Sequence, residues 1–117
     1  MIVRLEIFRT GFFVEVSGKV DEVDYKRLLP LAKGIIGNHG KFSAVVDIEE
    51  AIGLSRGAIW EDMKFDLRYF RKTSKIAFLT STPKLWLLLS SLPFVTHGVR
   101  FFTPKQKTQA IAWALSD

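Results

Sequence analysis

Asp47, Glu49 and Glu50 lie close together in the chain, and Glu61 and Asp62 come shortly after them. Carboxylates grouped at one end of a sheet can move protons or hold magnesium. The motifs that usually accompany such chemistry are missing from the sequence: no glycine-rich phosphate loop, nucleophile elbow or metal-ligand spacing occurs. There are no cysteines, which removes thiol nucleophiles and cysteine-based metal sites. Two histidines, His39 and His97, are too few for a histidine-rich zinc centre. His39 follows a helix stop and His97 precedes a strand, both positions of ordinary turn residues. The carboxylates therefore read as solvated acids of loops and helix starts. The expectation is a non-enzymatic chain with no cofactor and no metal.

Binding chemistry has stronger candidates. The helical stretch 58–72 places Ile59, Trp60, Met63, Leu67 and Phe70 on one stripe, at about 100° per residue. Ala58, Phe65 and Tyr69 fall on the opposite side. One stripe is enough to cover a sheet, so Phe65 and Tyr69 imply either a second contact surface or a neighbouring helix. The next helical stretch, 84–92, is apolar nearly all round: Leu85, Trp86, Leu87, Leu88, Leu89 and Leu92, with Lys84, Ser90 and Ser91 polar. A small domain rarely buries a helix on every side. This helix is expected to expose apolar surface to a lipid-like ligand, a membrane surface or a second copy in a homodimer; the plainer alternative is an edge helix with a few exposed leucines. Lys75, Lys84 and Arg71 would suit anionic head groups beside it.

Periodicity supplies the framework that holds these residues. Val3 to Phe8 alternates apolar and charged side chains, the mark of a half-buried strand. Thr10-Gly11 breaks it, and Phe12 to Val16 returns as the second strand of an antiparallel hairpin, ended by Ser17-Gly18-Lys19. Asp21 or Asp24 caps a helix towards Asn38, with Tyr25, Leu28, Leu29, Ala32, Ile35 and Ile36 on its apolar face. Pro30 is expected to kink or restart it. Phe42 to Ile48 reads as a central parallel strand, and the next segment, from Glu49 to Gly57, as a loop. Lys75 to Thr80 is the next buried strand, and Gly98 to Phe102 the last. Thr103-Pro104-Lys105-Gln106 opens a final helix that presents Ile111 and Leu115, with Ala110, Trp113 and Ala114 close by. The order is β-β-α-β-α-β-α-β-α, an α/β domain with a five-stranded mixed sheet and four helices. The first strand lies antiparallel at an edge.

The whole chain of 117 residues fits one domain, with 48% hydrophobic and 25% charged residues and no linker or repeat. The net charge of +5 is scattered and contains no run of five basic residues, which argues against a nucleic-acid partner. The charged, alternating start is not a signal peptide. The nearly uncharged run from Leu85 to Thr96 is too short to span a bilayer. A cytoplasmic protein is expected, peripheral at most to a membrane.

An ordered set of short stretches completes the reading: Val20-Asp21-Glu22-Val23-Asp24-Tyr25; His39-Gly40-Lys41 before Val45-Val46-Asp47; Ala58-Ile59-Trp60-Glu61-Asp62-Met63-Lys64-Phe65; Lys75-Ile76-Ala77; and Val99-Arg100-Phe101-Phe102 before Ala110 and Trp113. The set resembles the SpoIIAA-like proteins, whose STAS-type fold is that of anti-sigma-factor antagonists. The resemblance implies binding or regulation rather than a defined reaction, with a protein partner. It also implies a role for Ser55. In antagonist domains of that fold, a strand ending in Asp leads to a loop whose serine opens the next helix and is phosphorylated; Asp47 and Ser55 hold comparable places. Gly53-Leu54-Ser55-Arg56-Gly57 departs from the family's Asp-Ser-Ser-Gly run, lacking an acid just before the serine. Read from its neighbours alone, Ser55 is a helix cap.

Overall fold

The sheet is parallel except at one edge. The computed structural model describes residues 1–55, 57, 73–81 and 98–116. They form β1 (Ile2–Ile7), β2 (Gly11–Val20), α1 (Glu22–His39), β3 (Phe42–Leu54), β4 (Thr73–Leu79), β5 (Val99–Phe102), a 3-10 turn (Pro104–Gln106) and α2 (Lys107–Leu115). The sheet order is β1-β2-β3-β4-β5. β1 pairs antiparallel with β2, and each later pair is parallel. The mixed five-stranded sheet with β1 at its edge is as expected. Two of the four expected helices fall on 58–72 and 84–92, outside the described residues.

Alternation along β2 builds two cores. Phe12, Val14 and Val16 join Ala44, Ile48, Phe78 and the α1 residues Ala32, Ile35 and Ile36 on one face. Phe13 joins Val45, Ala77, Leu79, Phe102 and the α2 residues Ala110 and Ala114 on the other. A strand flanked on both sides and covered on both faces must be apolar at consecutive positions, which explains the unbroken Phe12-Phe13-Val14.

α1 starts where the sequence offers two aspartates, and both are used. Asp21 is the cap, its side chain accepting from the Asp24 N–H at 3.0 Å; the Asp24 carboxylate accepts from the Asp21 N–H at 3.1 Å. The reciprocal pair satisfies two of the amides that a helix start leaves without partners. Pro30 does not restart the helix, which runs unbroken through it. Proline removes one backbone donor; here the partly buried Leu28, Leu29 and Leu31 around it pack against the core and hold the helix on the sheet. Gly40 ends α1 at φ 75°, with its N–H on the Ile36 carbonyl at 2.7 Å.

Two strands outrun their expected ends. β2 continues to Val20 past Ser17-Gly18-Lys19, and β3 continues to Leu54 through what reads in sequence as a loop. The extensions pair with each other. Glycine and charged residues lower strand propensity, but main-chain pairing overrides it. Two register shifts keep the ladder going: Glu15 and Ser17 face Asp47 and Glu50, and Gly18 and Lys19 face Ala51 and Gly53. Ile52 is left over at the second shift and is 80% exposed.

α2 meets the sheet through small residues, Ala110 and Ala114, which are fully or nearly fully buried. Ile111 and Leu115, expected to lead this face, are only half-buried. Small side chains let the helix axis approach β3 and β4 closely, and bulkier neighbours are displaced to its flanks. Lys107 at its start lies 4.1 Å from the Phe13 ring centroid and 3.5 Å from the Glu6 carboxylate.

Candidate functional site

Parallel strands deliver their C-terminal ends to one side of the sheet, where open α/β folds commonly bind ligands. On this side the structure places Asp47, Glu49 and Glu50 of β3, Ser55 just beyond β3, and Thr80-Ser81 just beyond β4.

Ser55 is half-buried, and its N–H donates to the Val20 carbonyl at 2.8 Å. That bond ties the exit from β3 to the residue before the Asp21 cap. Gly57 then packs against α1: a Cβ there would stand 3.0 Å from a Glu22 carboxylate oxygen. The sequence places no acid immediately before Ser55, yet folding brings the acidic start of α1 close to Ser55 and Gly57. Asp24 is buried, which disfavours its charge, but the Asp21 N–H and the 3.2 Å Met1 ammonium, together with Asp21, hold its carboxyl below the ordinary range.

The acidic group expected at one sheet end divides into separate roles. Asp47 accepts the Glu49 N–H at 3.0 Å, a local turn bond. Glu49 reaches the neighbouring strand's exit, accepting the Ser81 N–H at 2.6 Å and the Ser81 hydroxyl. These bonds hold the Glu49 carboxyl below its usual range. Glu61 and Asp62 lie outside the described residues. Among the described residues, no three His, Asp or Glu side chains are grouped to hold a metal ion.

A family model for SpoIIAA-like proteins matches residues 12–115. The chain belongs to the SpoIIAA-like family. The solved structures agree with this. A SpoIIAA-like-fold protein of Shewanella loihica PV-4 is similar over 97% of this chain and 92% of its own, at 24% identity and a TM-score of 0.71. The unphosphorylated anti-sigma factor antagonist SpoIIAA is similar over 95% of this chain and 97% of its own, at 10% identity and a TM-score of 0.62. The phosphorylated form of SpoIIAA, described as a Bacillus cell fate determinant, gives 10% identity, 95% and 99% coverage, and a TM-score of 0.61. At these identities the likeness is one of fold. No curated protein matches the chain in sequence.

Within this SpoIIAA-like domain, Ser55 is the expected site residue that the structure places. Phe65, Tyr69, Leu85, Trp86, Leu88, Leu89 and Leu92 lie outside the described residues, as does the helix Ser55 was expected to cap. Lys75 is described, and its ammonium is engaged within the chain. Its ammonium donates to the carbonyls of Trp113 and Ser116, both at 3.1 Å, and to the Ser116 hydroxyl at 2.6 Å. A cation at the negative end of α2 explains the position. No helix among the described residues is long and apolar enough to cross a membrane. Two ties went unread in the sequence, Glu49 to Ser81 and Lys75 to the end of α2. Each joins residues more than thirty positions apart, and no local signal marks such a bond.

Proposed function

We propose that this SpoIIAA-like domain is a non-enzymatic regulatory module that binds a protein partner through the β3 exit and is switched by phosphorylation at Ser55. The observation that carries the reading is the placement of Ser55: half-buried, directly after a long parallel strand, tied by its amide to Val20, with Gly57 against Glu22. The apolar side chains of Ile52 and Val23 are 80% and 59% exposed near this end of β2 and β3. They would supply contact area to a partner. A phosphoryl group adds about −1.5 to −2 charge, and beside carboxylates it acts by repulsion. On Ser55 it would oppose Glu22 and the other acids at the start of α1, loosening the segment that holds the β3 exit in place. The fold is that of SpoIIAA, known in unphosphorylated and phosphorylated forms.

The test is phosphopeptide mapping of the protein isolated from its own cells, with Ser55→Ala as control. A phosphoryl group on the Ser55 peptide, absent from the variant, supports the reading. A protein that stays unmodified across growth conditions overturns the switch. The rival is a domain that binds an apolar ligand or membrane surface through Trp86 and the surrounding leucines, directly or as a homodimer. It predicts binding to anionic vesicles that a Leu88→Asp, Leu89→Asp double variant abolishes.

A further inference from the structure

β1 forms one edge of the sheet, and among the described residues no strand pairs with its outer side. An open strand edge is a template for a further strand. We propose that β1 pairs antiparallel with β1 of a second copy of this chain, joining the two sheets into one across a two-fold axis at Leu5.

The order of residues in β1 selects both the partner and the register. Turning Val3-Arg4-Leu5-Glu6-Ile7 end for end about Leu5 sets Arg4 against Glu6, Val3 against Ile7 and Leu5 against itself. A two-fold contact needs this self-complementarity, because whatever a residue meets on the partner must meet it in return. Moving the axis to Arg4 or to Glu6 would bring like charges together, which is destabilising across strands. The faces agree as well. Arg4 and Glu6 lie opposite Glu15 and Phe13, on the α2 side of the sheet, and Leu5 and Ile7 lie opposite Val14 and Phe12, on the α1 side. An axis perpendicular to the sheet keeps each side with its like, so opposite charges meet on one face and apolar side chains on the other.

The main chain points the right way. The Phe8 N–H donates to the Gly11 carbonyl at 2.8 Å, so Phe8, Glu6 and Arg4 turn their main-chain groups to β2, and Ile7 and Leu5 turn theirs to the open edge. Leu5 and its copy would exchange two hydrogen bonds on the axis. The register with β2 is regular from Arg4 to Ile7, and the shift between Ile2 and Arg4 falls at Val3, the outermost residue of the contact. Val3 and Ile7 are 53% and 58% exposed, so pairing would remove apolar surface from water at both ends. Both charges have neighbours in their own chain and keep open sides. The Glu6 carboxylate lies 3.5 Å from Lys107 and its side chain is 42% exposed; Arg4 is exposed opposite Glu15. The partner strand would add to these contacts without replacing them.

The test is sedimentation equilibrium of the full chain in low salt, from micromolar to millimolar concentration, since a contact of this size dissociates readily. Arg4→Glu sets acid against acid and Glu6→Arg sets base against base, each twice by symmetry. Either variant alone should dimerise about tenfold or more weakly than the parent. An equimolar mixture of the two restores opposite charges at both positions and should recover dimerisation. Hydrogen exchange of the parent is the second measurement. The Leu5 and Ile7 amides should gain protection as concentration rises, and the Glu6 amide, turned to β2, should not. A parent that stays monomeric throughout overturns the proposal. So does a dimer that both variants retain, or a mixture of folded variants that stays monomeric. A dimer lost in the Leu88→Asp, Leu89→Asp variant, with Leu5 and Ile7 unprotected, overturns it too and places the contact on 84–92. Melting of the variants separates lost pairing from lost folding, and the exchange data on the parent decide if either variant fails to fold.

Discussion

Glu49 and Ser81 join the exits of two neighbouring parallel strands through a single carboxylate that accepts both the amide and the hydroxyl hydrogen of the serine. Glu49→Ala should lower the melting temperature at neutral pH more than Ser81→Ala does, because the alanine at 81 keeps its amide. The pH dependence has a defined sign. The Glu49 carboxyl is held below its ordinary range in the folded protein, so its contribution is present above the unfolded-state value and is lost as pH falls through the folded one. Melting curves from neutral to acidic pH should show parent and Glu49→Ala converging at the acid end. A difference that persists there contradicts the assignment.

Lys75 closes α2 and also lies 5.4 Å from the Trp113 ring centroid. Lys75→Met keeps much of the apolar stem and removes the donors. It should cost about 1 kcal/mol, in line with a cation at a helix C-terminus. Urea unfolding with an unchanged slope and a lowered midpoint is the expected result.

Two glycines should respond in opposite directions to alanine. Gly11→Ala drives a methyl group into the Ser43 carbonyl, backbone against backbone, and should cost about 2 kcal/mol or more. Gly34 is exposed within α1 with nothing within 4 Å of an added Cβ. Gly34→Ala should stabilise by about 0.5–1 kcal/mol through helix propensity. Denaturant midpoints of the two variants decide both.

Ser55→Ala retains the amide bond to Val20, whereas Ser55→Asp adds charge near Glu22. The aspartate variant should melt below the alanine variant in low salt, by an amount equivalent to about 1 kcal/mol or less, and the gap should narrow as salt screens it. Equal melting in low salt would mean that Ser55 does not feel the acidic start of α1.

The sheet was readable because its signals are local. Alternation in Val3 to Phe8 and the apolar run from Phe42 to Ile48 mark strands by period alone, and the ordered motifs pointed to the SpoIIAA-like family. Both aspartates offered as caps for α1 proved to be halves of one reciprocal pair. The strand ends were not readable. Ser17-Gly18-Lys19 and Glu49-Glu50 have the composition of loops, and their pairing depends on each strand having the other beside it. The candidate site was legible at Ser55, whose place after β3 comes from element order. The acidic neighbours that folding brings to it arise from tertiary proximity that spacing does not encode.

The paired extensions of β2 and β3 carry a constraint on insertions and deletions. From Gly11 to Val20 is nine steps along β2, while the matching stretch from Ser43 to Leu54 takes eleven. The surplus is even, taken up one residue at each register shift. An extra residue absorbed at a bulge leaves the pairing beyond it intact, whereas one that slips the register turns every later side chain to the other face. Length variation in this part of β3 should therefore be tolerated at the two register shifts and not between them. Removing Ile52 alone, which is largely exposed, would bring Gly53 directly after Ala51 and leave Lys19–Gly53 and Val20–Leu54 paired, so the tie from Ser55 to Val20 should survive the loss.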